Sequence, residues 1–379
     1  MTVDFEVISP VDETIVETVR FADRAEMDAR VERADRAFAT WRRVAPGDRA
    51  RLLRRFAEAV DADIETLAGL EVRNAGHTIG NARWEAGNVR DVLGYYAAAP
   101  ERLAGKQIPV PGGIDVTFHE PMGVVGVIVP WNFPMPLAAW GFAPALAAGN
   151  TVIVKPAQYT PLTALRLEEL ALQAGLPADV FQVVPGAGAE AGERLVGHPL
   201  VRKIVFTGST AVGKQIMRLC ADQVKPLTLE LGGKNANIVF ADSDLERAAA
   251  SAPMAAFDNA GQDCCSRSRV LVQRAVFDRF MELLEPAVKS LAVGDPTDPG
   301  TAMGPLISAQ HRAKVTSYID DDTAVAFAGS APQGPGFWFP PTVLAPGGRG
   351  QPAVARGDLR TGDRGHAVRG RGRRDPAGQ

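Results

Sequence analysis

The sequence predicts an α/β protein built on a doubly wound parallel sheet, and three observations carry that expectation. Runs apolar on both faces, as central parallel strands are, occupy residues 123–130, 150–156 and 201–208, with a fourth starting at Thr228. Helical blocks separate these runs, and strands alternating with helices are the pattern of a doubly wound sheet. Each run closes on polar or turn residues, Trp131-Asn132, Lys155-Pro156, Gly208-Ser209 and Glu230, at the strand ends where such sheets bind ligands.

Taken in order, residues 22–104 read as packing helices, because Ala34, Phe38 and Trp41, then Leu52, Leu53, Phe56 and Val60, recur at helical spacing among charged residues. His77 reads as a capping or surface histidine, since no second ligand type lies at metal spacing. Residues 107–120, with Pro109, Pro111 and Gly112-Gly113 before an alternating stretch, predict a projecting hairpin. An alanine-rich apolar helix is expected over 137–148, between the first two strands. Residues 208–213, Gly-Ser-Thr-Ala-Val-Gly, lead from a strand into a helix and resemble a dinucleotide fingerprint with its middle glycine replaced by threonine. Gly208 would permit the turn, Gly213 close packing, and the helix N-terminus would offer free N–H groups to a phosphate. Glu230 reads two ways, as a ribose ligand of a Rossmann unit or, before Leu231-Gly232-Gly233-Lys234, as part of a backbone approach to a ligand.

The chemistry is placed in residues 257–269. Two of the chain's three cysteines, Cys264 and Cys265, stand there side by side, between a Gly-Gln turn and the apolar run Val270-Leu271-Val272. A thiolate at a loop-to-strand junction is a strong nucleophile, whereas most free cysteines are small buried hydrophobes; both readings stand on this stretch alone. With 379 residues the chain is long enough for two or three domains. An apolar fraction of 46% and a net charge of -3 carry no bias toward nucleic acid or membrane, and no apolar segment is long enough to cross a bilayer. Three cysteines give neither a disulfide framework nor metal-ligand spacing, so a cytoplasmic protein without a metal is expected.

Five motifs together resemble the NAD(P)-dependent aldehyde dehydrogenase family: Pro130-Trp131-Asn132-Phe133-Pro134, Lys155-Pro156-Ala157, the 208–213 loop, Leu229-Glu230-Leu231-Gly232-Gly233-Lys234 and Gly261-Gln262-Asp263-Cys264. Their order and spacing agree with that family over roughly residues 10–344. The resemblance implies oxidation of an aldehyde to a carboxylic acid with NAD or NADP through a cysteine thioester. It makes Cys264 the nucleophile, Asn132 and the Cys264 N–H the oxyanion donors, and Glu230 the base for water. It assigns Trp131, Lys155, Gln158, Gly208, Ser209, Gly213 and Leu231 to the cofactor, and Phe133, Trp140 and Asp263 to the substrate. Gln158 stands where the family commonly has glutamate, which would repel a 2′-phosphate, so NADP is expected beside NAD. Asp263 is similar to a carboxylate in members acting on amino-aldehydes, or it caps its own turn. The implied organisation is a cofactor-binding domain over 1–230, a truncated catalytic domain over 231–345 and an aberrant tail over 346–379. The expected partner is a small aldehyde, with no nucleic acid and no membrane; the family's homo-oligomer would be compromised by the altered C-terminus.

From Gly347 the family pattern stops, and eight arginines stand against three aspartates. An arginine-glycine arm for RNA is one reading, although interleaved aromatics are lacking. A frameshift is the other, since Arg356-Gly357-Asp358-Leu359-Arg360-Thr361 is the one-base-offset reading of codons for the family's Glu-Glu-Ile-Phe-Gly-Pro. The break would lie between about Ala345 and Gly350. The competing function class is therefore an inactive homologue that at most binds nucleotide, or RNA through this tail.

Overall fold

Five parallel strands in the order β7-β6-β5-β8-β9 form the central sheet. They are β5 (Val124–Ile128), β6 (Thr151–Lys155), β7 (Phe181–Val183), β8 (Val201–Gly208) and β9 (Leu227–Leu231) in this computed structural model. It describes residues 3–319 and 324–345 and the backbone of Val354 and Ala355. The readings placed on the tail, RNA arm and frameshift alike, otherwise lie outside the described residues. The chain divides into two compact units, one of Met1–Ser9, Thr14–Ala75 and Ile79–Leu231, the other of Pro10–Glu13, Gly76–Thr78 and Gly232–Gln379.

The first unit opens with an antiparallel pair, β1 (Val3–Ile8) and β2 (Ile15–Phe21), which the sequence reading passed over although Phe5 and Phe21 stack across it at 4.7 Å. Helices α1 (Arg24–Trp41), α2 (Pro46–Ala62), α3 (Ile64–Ala75) and α4 (Ile79–Ala97) follow, as the apolar periodicity predicts. His77, between α3 and α4, is 3% exposed, so the expectation of a surface histidine is corrected. Strands β3 (Gln107–Val110) and β4 (Gly113–Val116) form the expected hairpin around Pro111-Gly112, with every strand residue exposed. The sheet's crossovers run through α5 (Pro134–Ala147), α6 (Leu162–Gln173), α7 (Glu193–Gly197) and α8 (Thr210–Ala221).

Helices cover both faces of that sheet, which makes it doubly wound. On one face Phe56 of α2, Phe142 of α5 and Phe181 of β7 pack with ring centroids 4.7–5.9 Å apart. On the other, Met27 and Val31 of α1, Leu195 of α7 and Ile216 of α8 close over Ile204 and Phe206. Strand β7 is an addition to the four strands read from the sequence; at three residues it is too short to show a period.

In the second unit, β10 (Ala236–Val239), α9 (Leu245–Phe257) and β11 (Arg269–Val272) make a parallel β-α-β element. Helix α9 is capped by Asp244, whose carboxylate accepts from the Arg247 N–H at 3.0 Å. Helices α10 (Phe277–Lys289) and α11 (Ala309–Thr316) follow, then an antiparallel sheet of β12 (Val325–Ala328), β13 (Thr342–Leu344) and β14 (Val354–Ala355). Among the described residues, no helix is long and apolar enough to cross a membrane.

Candidate active site

In the first unit the strand register gathers four of the sequence motifs along one edge. Ile128 pairs with Lys155 on one side and Phe206 on the other, while Thr207 and Gly208 pair with Glu230 and Leu231. Chain connections leave β5 and β8 in opposite directions, so the crevice beside their carboxyl ends is the switch point where α/β sheets bind ligands. Trp131, Asn132 and Phe133 follow β5 and are half-buried, held by the start of α5 at Pro134. That helix cannot drift, because a Cβ at Gly141 would stand 2.5 Å from Val127 Cγ1 of β5. Trp140 lies farther along α5, exposed, its indole N–H donating to Asn88 Oδ1 at 3.0 Å.

Lys155 closes β6 with a side chain only 5% exposed, and its ammonium donates to the Pro156 carbonyl at 2.8 Å. Burial pulls its pKa down to about 8. Gln158 follows, half-buried. At the β8–α8 turn, Ser209 caps the helix, its Oγ accepting from the Val212 N–H at 3.4 Å, and Thr210, Ala211 and Val212 are exposed. A Cβ at Gly213 would meet Leu231 Cδ2 at 2.7 Å, which is the close helix–strand packing expected of it. Gly208 departs from expectation: it has no positive φ, and its missing Cβ instead leaves room for the Phe206 ring, 2.6 Å away. Along β9, Leu229 and Leu231 turn toward α8, so strand alternation puts Thr228 and Glu230 on the opposite face, where Lys203 Nζ donates to Thr228 Oγ1 at 2.8 Å. Glu230 is exposed there.

In the second unit, Cys264 lies in the connection from α9 to β11. That connection starts with three left-handed residues in a row, Asn259 (φ 50°), Ala260 (φ 56°) and Gly261 (φ 74°). Asparagine and glycine tolerate this region, whereas Ala260 is strained by about 1 kcal/mol or more. The neighbouring side chains hold the turn. Gln262 is 4% exposed; its amide N–H donates to the Asn259 carbonyl at 3.1 Å and its amide oxygen accepts from the Ile307 N–H at 2.9 Å. Asn235 precedes β10 as the cysteine loop precedes β11, and this shared strand edge lets its amide donate to the Cys264 carbonyl at 2.6 Å. Ser266 Oγ donates to the Ala256 carbonyl at 2.8 Å, closing the loop from its far side.

Cys264 is half-buried and Cys265 exposed, their sulfurs 3.8 Å apart. Asp263 Oδ1 accepts from the Cys265 N–H at 2.9 Å, so the carboxylate does cap its own turn. Burial first, then the charge of Asp263 and the adjacent Cys265, push the Cys264 thiol up to about 12. At rest this sulfur is a protected thiol rather than a thiolate.

A strained, braced loop presenting a cysteine, and a parallel sheet with an open helix N-terminus at its switch point, are found in one chain that a family model, "Aldehyde dehydrogenase family", matches over residues 2–349. The chain belongs to the aldehyde dehydrogenase family. Cytosolic 10-formyltetrahydrofolate dehydrogenase from Pongo abelii is 39% identical over an alignment of 353 positions that covers 90% of this chain and 39% of that protein. The chain thus spans about two-fifths of the length of such curated relatives. Among solved structures, PnpE from Pseudomonas sp. WBC-3 is 40% identical with a TM-score of 0.87, covering 92% of this chain and 74% of that one, and PnpE has also been solved with nicotinamide adenine dinucleotide. An NADP-dependent enzyme of E. coli is 38% identical with a TM-score of 0.86, covering 90% and 72%.

Gln262, Asn235 and Ser266 brace the backbone of the cysteine loop, a role the sequence alone did not show. Gln262 lies inside the 261–264 motif and Asn235 directly after the 229–234 motif, and a polar residue next to a candidate cysteine was the signal available. Their roles as braces became visible only with the carbonyls they hold.

Proposed function

We propose that the chain oxidises an aldehyde to a carboxylic acid with NAD or NADP, through a thioester on Cys264. The observation that carries this reading is the strand order, which lines Asn132, Lys155, the 208–213 turn and Glu230 along one edge of a single sheet. The residues of that edge suit a dinucleotide. Lys155, a buried ammonium at a strand end, would hold ribose hydroxyls with Gln158 beside it, and the open first turn of α8 behind Ser209 would take the pyrophosphate. Leu231 and Trp131 would flank the bound group. Gln158 carries no charge to repel a 2′-phosphate, which supports use of NADP beside NAD. When bound, the nicotinamide supplies the hydride acceptor.

The protein's own part is acyl chemistry. Cys264 loses its thiol proton to solvent as its sulfur attacks the aldehyde carbon, and the Asn132 amide and the Cys264 N–H would stabilise the oxygen that becomes negative. Glu230 would take a proton from the water that attacks the thioester and pass it on as the sulfur leaves, releasing the acid and returning the thiol. Glu230 as base together with Asn132 as oxyanion donor argues for release by water rather than by coenzyme A. Phe133 and Trp140 would meet the aldehyde's side chain. An attraction of Asp263 for a distant ammonium would come on top of its capping bond. A faster rate on 4-aminobutanal than on butanal, lost in Asp263→Asn, is its test.

The whole reading is tested by reduced-cofactor formation from an aldehyde series. Activity lost in Cys264→Ser, and a single burst without turnover in Glu230→Gln, are expected. Turnover surviving in Cys264→Ser overturns the mechanism, and nucleotide binding without any turnover in the unaltered chain identifies an inactive homologue.

A further inference from the structure

We propose that Asp263, Cys264 and Cys265 form a binding site for one soft divalent cation of the zinc and cadmium class. One oxygen or sulfur from each residue lies within 4.8 Å of the others. The sulfur separation is the informative quantity. Two thiolates on one tetrahedral ion, each at ~2.3 Å, stand about 3.8 Å apart, and 3.8 Å separates the Cys264 and Cys265 sulfurs. A disulfide requires ~2.05 Å, so the same pair would have to close by more than about 1.5 Å to oxidise.

The surroundings favour the ion as well. Asp263 accepts from the Cys265 N–H and hydrogen-bonds the Cys264 thiol, so once that thiol loses its proton the carboxylate can serve as a hard third ligand. Cys265 is exposed, so an ion enters from solvent and water completes the tetrahedron. The left-handed turn, Gln262 and Asn235 fix the backbone that carries the ligands, which reduces the ordering cost of binding. Thiolate pairs select zinc-like ions over magnesium and calcium. On binding, two S–H bonds break, two metal–sulfur bonds form and two protons pass to solvent, with no change of oxidation state. Occupation would also silence Cys264, a consequence that rests on its proposed role as nucleophile; the site itself does not.

The probe is Cd2+ alone, titrated into the full chain kept reduced with a phosphine and followed by sulfur-to-cadmium charge-transfer absorption, with Zn2+ as competitor. One Cd2+ per chain is expected. Cys265→Ser should weaken binding by at least the 10–100-fold typical of losing even a supporting group, Asp263→Asn should weaken it about tenfold, and Cys220→Ser, a buried thiol of the other unit, should leave it unchanged. Absence of the absorption band, or a band unaltered in Cys265→Ser, overturns the site. Cadmium binding as described in a chain that turns over no aldehyde supports the site and overturns only the catalytic reading of Cys264.

Discussion

Replacing Lys155 with methionine should make the protein more stable and its cofactor binding weaker. The ammonium is 5% exposed, and burial lowers its pKa from 10.5 to about 8, which corresponds to about 3 kcal/mol against the charged form. Methionine removes that cost but leaves the Pro156 carbonyl without its donor, a penalty of about 1–3 kcal/mol. The net gain near pH 7 is therefore about 1 kcal/mol, read as a shift in urea midpoint. The pH dependence is sharper. A folded pKa below the unfolded one means that the unfolded chain holds the extra proton between about pH 8 and 10.5, so the wild-type protein gains about 3 kcal/mol across that window. The methionine variant lacks this gain, and the two stability curves should cross as pH rises. Parallel curves would refute the burial argument. Loss of a charged hydrogen bond to ribose hydroxyls should weaken NAD binding roughly ten- to a hundredfold by calorimetry, and unchanged affinity would remove Lys155 from the cofactor site.

Gly141→Ala should cost about 1–3 kcal/mol or more in urea unfolding, because the new methyl meets a stiff Val127 in β5 and has no flexible neighbour to displace. Gln262→Ala should cost about 1–3 kcal/mol and lower kcat more than KM, since it frees the left-handed turn and strands the Ile307 N–H; an unchanged kcat would deny it a positioning role. Asp263→Asn should speed alkylation of Cys264 by iodoacetamide at fixed pH, because it removes a negative charge that helps hold the thiol near 12. Sequencing the gene near the codon for Ala345 should reveal Glu-Glu-Ile-Phe-Gly-Pro in the adjacent frame, and its absence there would end the frameshift reading.

The long elements were legible because their periods are long enough to count. Four apolar runs gave β5, β6, β8 and β9, and the alanine-rich block gave α5. Strand β7 and the β1–β2 hairpin escaped for opposite reasons: β7 has three residues, and the hairpin is half-exposed with charges inside its alternation. Gly213 was read for the right physical reason, helix–strand proximity, while Gly208 was assigned to backbone freedom when the constraint was the Phe206 ring. Such an error is inherent in a sequence, where a glycine signals absence of a side chain without saying what fills the space. His77 was misjudged similarly, since its neighbours are brought to it by folding.

The state of Cys264 sets a condition that motif reading alone would not. Burial and the neighbouring Asp263 carboxylate both push the Cys264 thiol up, so neither favours a thiolate at rest. Lowering its pKa requires something to offset burial and the neighbouring Asp263 carboxylate, and the Gln262 and Asn235 braces contribute only neutral dipoles fixed in place. On the proposed mechanism, attack by Cys264 is then helped by a bound positive charge near the sulfur or by loss of its proton in the same step. Alkylation of the apo protein should then be slow and rise steeply with pH, and should accelerate when cofactor is added. Fast labelling of Cys264 at neutral pH without cofactor would show that the sulfur is ionised at rest and that the assigned roles of burial and Asp263 are wrong.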